Sequence, residues 1–393
     1  MTAPPSQQTR VTSIDVLRGL AIVLMALDHT REFFHYPSPD PLDLAHTTVP
    51  LFMTRWVTHL CAPVFMFLAG VGAALQESRG RTRGDLSRFL VTRGLVLAAL
   101  EISVVRLGWF FNVDYHLVEL LVIWALGWSM VVLAGLIWVP RRMLALVCLF
   151  AIAGHNLLDG VAHDGRFGWI WRLLHAPGAM HPAPGFVISV GYVLLPWAFV
   201  MALGYCCGPV FAWPSARRRR ALLWAGALAT MAFVVVRSLN GYGDPSPWSH
   251  QRTVVFTAFS FLNSAKYPPS LCYLLMTLGP GCVLLGLLER WNLGVGRILL
   301  VFGRVPLFLY VVHLPAIHLA TVAAALLRYG HAGFLFRNPS PDDITPFPAP
   351  PGYGYSLWVV YAVWIVMLAA LYPLCRWFAR YKRTHRAAWL SYV

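Results

Sequence analysis

Apolar runs of about 20 residues recur from one end of this chain to the other, and that recurrence constrains the fold more than any single motif. A helix rises about 1.5 Å per residue, so about 20 apolar residues span the roughly 30 Å hydrocarbon core of a bilayer. Ten such runs are expected, near residues 14–36, 52–76, 90–111, 117–139, 143–159, 186–210, 220–238, 268–288, 298–326 and 355–378. Of the 393 residues, 58% are hydrophobic and only 12% charged, about half the charged fraction of a soluble protein. The mean hydropathy is +0.62. The expected fold is an all-α integral membrane protein, a bundle of about ten transmembrane helices. It forms a single domain over 1–393, with a short N-terminal tail at 1–13 and a basic C-terminal tail at 379–393. The first apolar run lacks a clear small-residue cleavage site after it and is read as a retained span.

The net charge of +15 points to topology, because Lys and Arg hold cytoplasmic loops in place. Nucleic acid is therefore not an expected partner; the lipid bilayer is. With the N-terminus inside, the cytoplasmic segments hold 21 of the 31 Lys and Arg, including Arg10, the Arg79 to Arg93 loop, Arg217 to Arg220 and Arg386. The expectation is thus both termini in the cytoplasm and a multi-pass protein of a bacterial inner membrane. The opposite loops carry acids and histidines instead, among them Asp43, His46, His155, Asp159, His163, Asp164, His175, Asp342 and Asp343. Their aromatics, such as Trp169, Trp171 and Tyr242, suit either stacking on a sugar ring or interfacial anchoring. Seven cysteines include no CxxC and no metal spacing, so they are read as small buried hydrophobes and no metal is expected.

The first run carries its own chemistry. Arg18 and His29 are eleven residues apart, close to three helical turns, so they share one stripe at a separation of about 16 Å. Asp15 lies three residues before Arg18, while Asp28 and Arg31 flank His29. Interfacial caps at each end account for the charges but not for the shared stripe; ionisable groups inside a span more often face a wet cavity. Arg18 suits a phosphate or fixed carboxylate, and His29 a base near neutral pH. His29 could be oriented by Asp28 or by a carboxylate from another helix, although neighbours in sequence diverge by about 100° around a helix.

These residues carry a resemblance. "SIDVLRGLAIVLMALDHTREFF", with Arg, ten residues, then His, resembles the opening helix of the transmembrane acyltransferase superfamily, and more closely that of bacterial relatives of heparan-alpha-glucosaminide N-acetyltransferase. "TRWVTHLCAPVFMFLAGVGAAL", "KYPPSLCYLLMTLGP" and "FGRVPLFLYVVHLPAIHL" resemble later spans of the same family. The resemblance implies an all-helical membrane fold that takes an acyl group, acetyl above all, from acyl-CoA on the cytoplasmic side and passes it to a carbohydrate or other envelope acceptor outside. It implies His29 as base, with Asp28 and Arg18 in the catalytic set, and Arg18, Arg31, Arg304 and His313 as candidates for holding the donor. In the lysosomal branch an Asn resembles the position of His29 and the catalytic His lies farther along, so His35 and His46 stand beside His29 as candidates. His29 is favoured because it shares the Arg18 stripe.

Other intramembrane polar residues, His313, His318, His59, Glu101 and Arg106, are functional candidates or partners in interhelical hydrogen bonds. His313 could complete a site with His29. Two rivals from other classes stay open: a transporter or flippase using the stripe as a proton relay, and a non-catalytic membrane subunit. Homodimerisation, the acceptor and N- versus O-acylation are not legible.

Overall fold

The computed structural model describes residues 11–161, 165, 167–290, 294, 296–340, 346–385 and 387–391. Most of the N-terminal tail, with Arg10, and also His163, Asp164, Asp342, Asp343 and Arg386 lie outside the described residues.

The first apolar run folds as α1 (Thr12–Phe34), with Asp15 in its first turn and Arg31 in its last, the arrangement a helix dipole favours. It is buried along almost its whole length and packs against helices from both halves of the chain. Next come α2 (Val49–Thr58), capped by the Thr48 hydroxyl, and α3 (Cys61–Ser78). Then follow α4 (Arg83–Leu100) and, through a π-helical turn at Glu101–Val105, α5 (Arg106–Phe110). The middle of the chain holds α6 (Val122–Leu136), α7 (Arg141–Gly154), α8 (Gly168–Leu174), α9 (Trp197–Cys207) and α10 (Ser215–Leu239). The last third holds α11 (Val254–Leu262), α12 (Leu271–Leu288), α13 (Gly296–Arg304), α14 (Pro306–Tyr329) and α15 (Leu357–Thr384).

Among the described residues, six helical segments are long and apolar enough to cross a membrane: Val49–Ser78, Arg141–Leu158, Ser215–Leu239, Leu271–Leu288, Pro306–Tyr329 and Leu357–Thr384. Leu146 and Phe150 of α7, Leu228 and Met231 of α10, and Trp358 and Val366 of α15 are exposed. Large apolar side chains pointing outward in such numbers suit lipid rather than water.

Two features depart from a purely helical reading. A three-stranded sheet is present: β1 (Leu117–Leu120), β2 (Gly178–Ala183) and β3 (Phe186–Val190), in the order β1-β3-β2, with β1 parallel and β2 antiparallel to β3. Gly185, at φ 72°, makes the left-handed turn between β2 and β3. The windows 117–139 and 186–210 therefore each begin as a strand and only then become helical. Second, the window 298–326 is two helices, broken at Val305, with Pro306 at the first position of α14, where its missing N–H costs no hydrogen bond.

The broken helix lets α13 lie directly on α1. A Cβ on Gly303 would fall 1.7 Å from the Asp15 carbonyl oxygen, and one on Gly19 would fall 1.9 Å from that of Leu299. No side chain fits there, so the two backbones touch and bring Arg18 and Arg304 to one place.

Candidate active site

One stripe of α1 lines two cavities in succession. Ile14, Asp15, Arg18, Ile22 and Met25 face the first, of about 500 Å³, and Met25, Asp28, His29 and Glu32 face the second, of about 470 Å³. Spacings of three and four residues keep the whole set on one side of the helix. Met25, Val122 of α6 and Tyr310 of α14 belong to both linings and form the partition between them.

The first cavity is cationic. Arg18, Arg79, Arg81, Arg93, Arg304 and Lys382 line it, against Asp15 as the one carboxylate among the described residues. Arg18 is held in place from two sides: its Nη2 donates to the Leu68 carbonyl at 2.8 Å, and Asp15 lies 3.8 Å from its Nη1.

The second cavity mixes charges of both signs: Asp28, Glu32 and Glu119 with Arg55 and Lys266. Asp28 accepts hydrogen bonds from Arg31, at 3.2 Å, and from Arg55 of α2. Glu32 lies 3.4 Å from Arg31 and 3.9 Å from Arg55. Asp28 therefore makes its hydrogen bonds to guanidinium groups and none to His29. The sheet closes this cavity, with Leu117 and Glu119 of β1 opposite Val187 and Ser189 of β3, alternate residues facing inward as the pleat requires. Glu119 stands outside the helices; burial first, and then the nearby Glu32 carboxylate, push its pKa up to about 7.

His29 lines the second cavity, and its orientation comes from another histidine. His313 of α14 bonds the Leu309 carbonyl through Nδ1 at 2.9 Å and His29 Nδ1 through Nε2 at 2.8 Å. A carbonyl only accepts, so His313 Nδ1 carries the proton; with both rings neutral, His313 Nε2 accepts from His29 Nδ1–H. That leaves the lone pair on His29 Nε2, which makes no hydrogen bond among the described residues. Trp109 packs edge-on against the ring, with centroids 4.9 Å apart, and the Tyr310 ring lies 6.0 Å away. The Tyr310 hydroxyl is likewise without a hydrogen-bond partner among the described residues.

The other sequence candidates are spread out. His35 ends α1 with its Nδ1 on the Tyr36 carbonyl, and His46 is exposed beside Asp43; neither lines either cavity. Arg31 and His313, expected with Arg18 and Arg304 at the donor, line neither cavity: Arg31 neutralises Asp28, and His313 is buried behind His29. His318 bonds the Gly108 and Leu335 carbonyls. Glu101 accepts the first backbone N–H groups of α6, from Ile123 and Trp124. Arg106 ties down the carbonyls of Asn112 and Leu117. These three hold the fold. Arg55, Lys266, Glu119 and Tyr310 were not singled out from the sequence, which offers only an isolated charge or aromatic ring at each.

Comparison with known families gives a match to heparan-alpha-glucosaminide N-acetyltransferase, catalytic, over residues 10–242. The chain belongs to this family. Membership and the apolar helices together make it a membrane acetyltransferase-like protein. The matched stretch runs from α1 to the end of α10 and includes Arg18 and His29; Arg304, Tyr310 and His313 lie beyond it. Comparison with curated proteins gives no match.

Proposed function

We propose that this chain transfers an acetyl group from acetyl-CoA, held at the cationic cavity, to a hydroxyl or amine of a carbohydrate acceptor in the histidine cavity. The observation that carries the reading is the His29–His313 hydrogen bond beside a partition shared by two cavities, one cationic and one of mixed charge. Cationic side chains suit the phosphates of a coenzyme, with Arg18 and Arg304 as the principal contacts.

His29 Nε2 takes the proton from the acceptor as its oxygen or nitrogen attacks the thioester carbonyl. The new C–O or C–N bond forms, the C–S bond breaks, and the proton passes from His29 to the departing thiolate. Imidazole matches this task because its ordinary pKa lies near neutrality. The Tyr310 hydroxyl, at the partition, donates to the oxygen that gains charge. His313 is a positioning residue: it fixes the tautomer of His29 and supports the imidazolium that forms.

The charge pattern of the loops supports both termini in the cytoplasm, ten membrane crossings in one domain over 1–393, a bacterial cytoplasmic membrane, and transfer from inside to outside. Proteoliposomes test the reading directly, with acetyl-CoA supplied on one side and glucosamine on the other. Acetylated product accumulating on the acceptor side without an ion gradient supports it. Gradient-dependent uptake of the sugar without acetylation would replace it with a transporter.

A further inference from the structure

Away from both cavities, the ends of α7 and α8 bring two buried histidines and a carboxylate together. His155 opens the 3-10 turn that closes α7, Asp159 ends that turn, and His175 follows the last residue of α8. His155 is 3% and His175 2% exposed. One ligating atom from each of the three lies within 4.8 Å of the others. Asp159 Oδ1 accepts from His175 Nε2 at 3.0 Å, and its other oxygen accepts from Asn156 at 2.8 Å.

What this cluster lacks is partners for its rings. Both nitrogens of His155 and Nδ1 of His175 are buried without a hydrogen bond among the described residues. A neutral imidazole brings one donor and one acceptor, and protein interiors seldom leave both unpaired. The two rings meet edge to face with centroids 5.7 Å apart, so they crowd one point without bonding each other. A single Lewis acid would use a lone pair from each ring and one from Asp159.

We propose that His155, Asp159 and His175 form a binding site for a zinc-class divalent metal, with water as the fourth ligand. Two imidazoles and one carboxylate suit a borderline-soft ion, whereas calcium and magnesium take mostly oxygen. Tetrahedral ligands about 2.0–2.2 Å from zinc stand about 3.4 Å apart, so the three ligating atoms, within 4.8 Å of one another, would draw together on binding the ion. The position gives the metal a task. His175 lies three residues before β2, whose Gly178 and Ala179 line the histidine cavity. Leu173 and Leu174 accept the backbone N–H groups of Leu194 and Leu195, just beyond β3. A metal joining α7 to α8 would pin the sheet over the cavity.

The full chain, purified in detergent and stripped with a chelator, is titrated with Zn²⁺ against a chromogenic competitor, and bound metal is counted by elemental analysis. The site predicts one ion per chain that raises the melting temperature. His155→Gln, His175→Gln and the near-isosteric Asp159→Asn should each weaken binding by tenfold or more and abolish the thermal shift. Cobalt substituted into the wild type guards against misfolded variants: strong visible bands of four-coordinate cobalt support the site. Absence of tight binding, weak octahedral cobalt bands, or stoichiometry and affinity unchanged in all three variants would overturn it. The result is independent of whether the chain acetylates anything.

Discussion

The two cavities on α1 share a wall and differ in almost everything else. One is a cationic basin with Asp15 as its lone carboxylate among the described residues. The other sets Asp28, Glu32 and Glu119 against Arg55 and Lys266 and is roofed by a sheet. Unbalanced charge attracts and holds a polyanion; balanced charge fixes polar groups without demanding a charged ligand. In the proposed reaction this difference separates donor binding in one compartment from proton transfer in the other, with Tyr310 and Met25 lining both.

Substitutions should therefore separate by compartment. His29→Ala removes the proposed base and should lower acetyl transfer by about 10³-fold, measured as product formed under saturating donor. Asp28→Ala should act on folding instead, because it removes the carboxylate that both the Arg31 and Arg55 guanidiniums bond inside the protein and leaves Glu32 alone against the two. A loss of about 3 kcal/mol or more is expected in thermal or denaturant unfolding. A folded Asp28→Ala protein with turnover as low as His29→Ala would return Asp28 to the catalytic set. His313→Ala should reduce kcat by about tenfold with KM unchanged, and His313→Gln, which retains an acceptor, should recover part of it. The smallest effect concerns Glu119. With its pKa raised from 4.5 to about 7 in the folded protein, the native state holds a proton that the unfolded chain releases. Its contribution to stability is full below pH 4.5 and is lost as pH rises through about 7. Glu119→Gln should flatten unfolding curves across that window.

Legibility in the sequence follows the same division. The α1 stripe could be read directly, because eleven residues are close to three helical turns and both cavities open on one helix face. The clustered arginines near residues 79–93 were visible as a charge run, and their convergence with Arg18 and Arg304 required the α1–α13 contact at Gly19 and Gly303. His313, the partner of His29, stands 284 positions away, and no local pattern distinguishes it from His318, which bonds backbone carbonyls. The strands escaped notice because "LVEL" and "FVISV" run almost directly into apolar helices. Each strand and helix together reads as one run of membrane-spanning length, and four or five residues are too few for period two to stand out. The charges of the loops likewise gave no sign that His155 and His175, twenty residues apart, meet at one point.

In the proposed division of labour the cationic cavity holds the donor and His29 does chemistry on the far side of the partition. This division is tested most directly by equilibrium binding of coenzyme A to three purified proteins: wild type, His29→Ala and the Arg18→Ala/Arg304→Ala double variant. Loss of charge-assisted contacts should weaken binding by about 10- to 100-fold in the arginine variant, whereas His29→Ala should bind coenzyme A as wild type does while failing to turn over acetyl-CoA. Unchanged affinity in the arginine variant, or full turnover in His29→Ala, would contradict the division of labour between the two cavities.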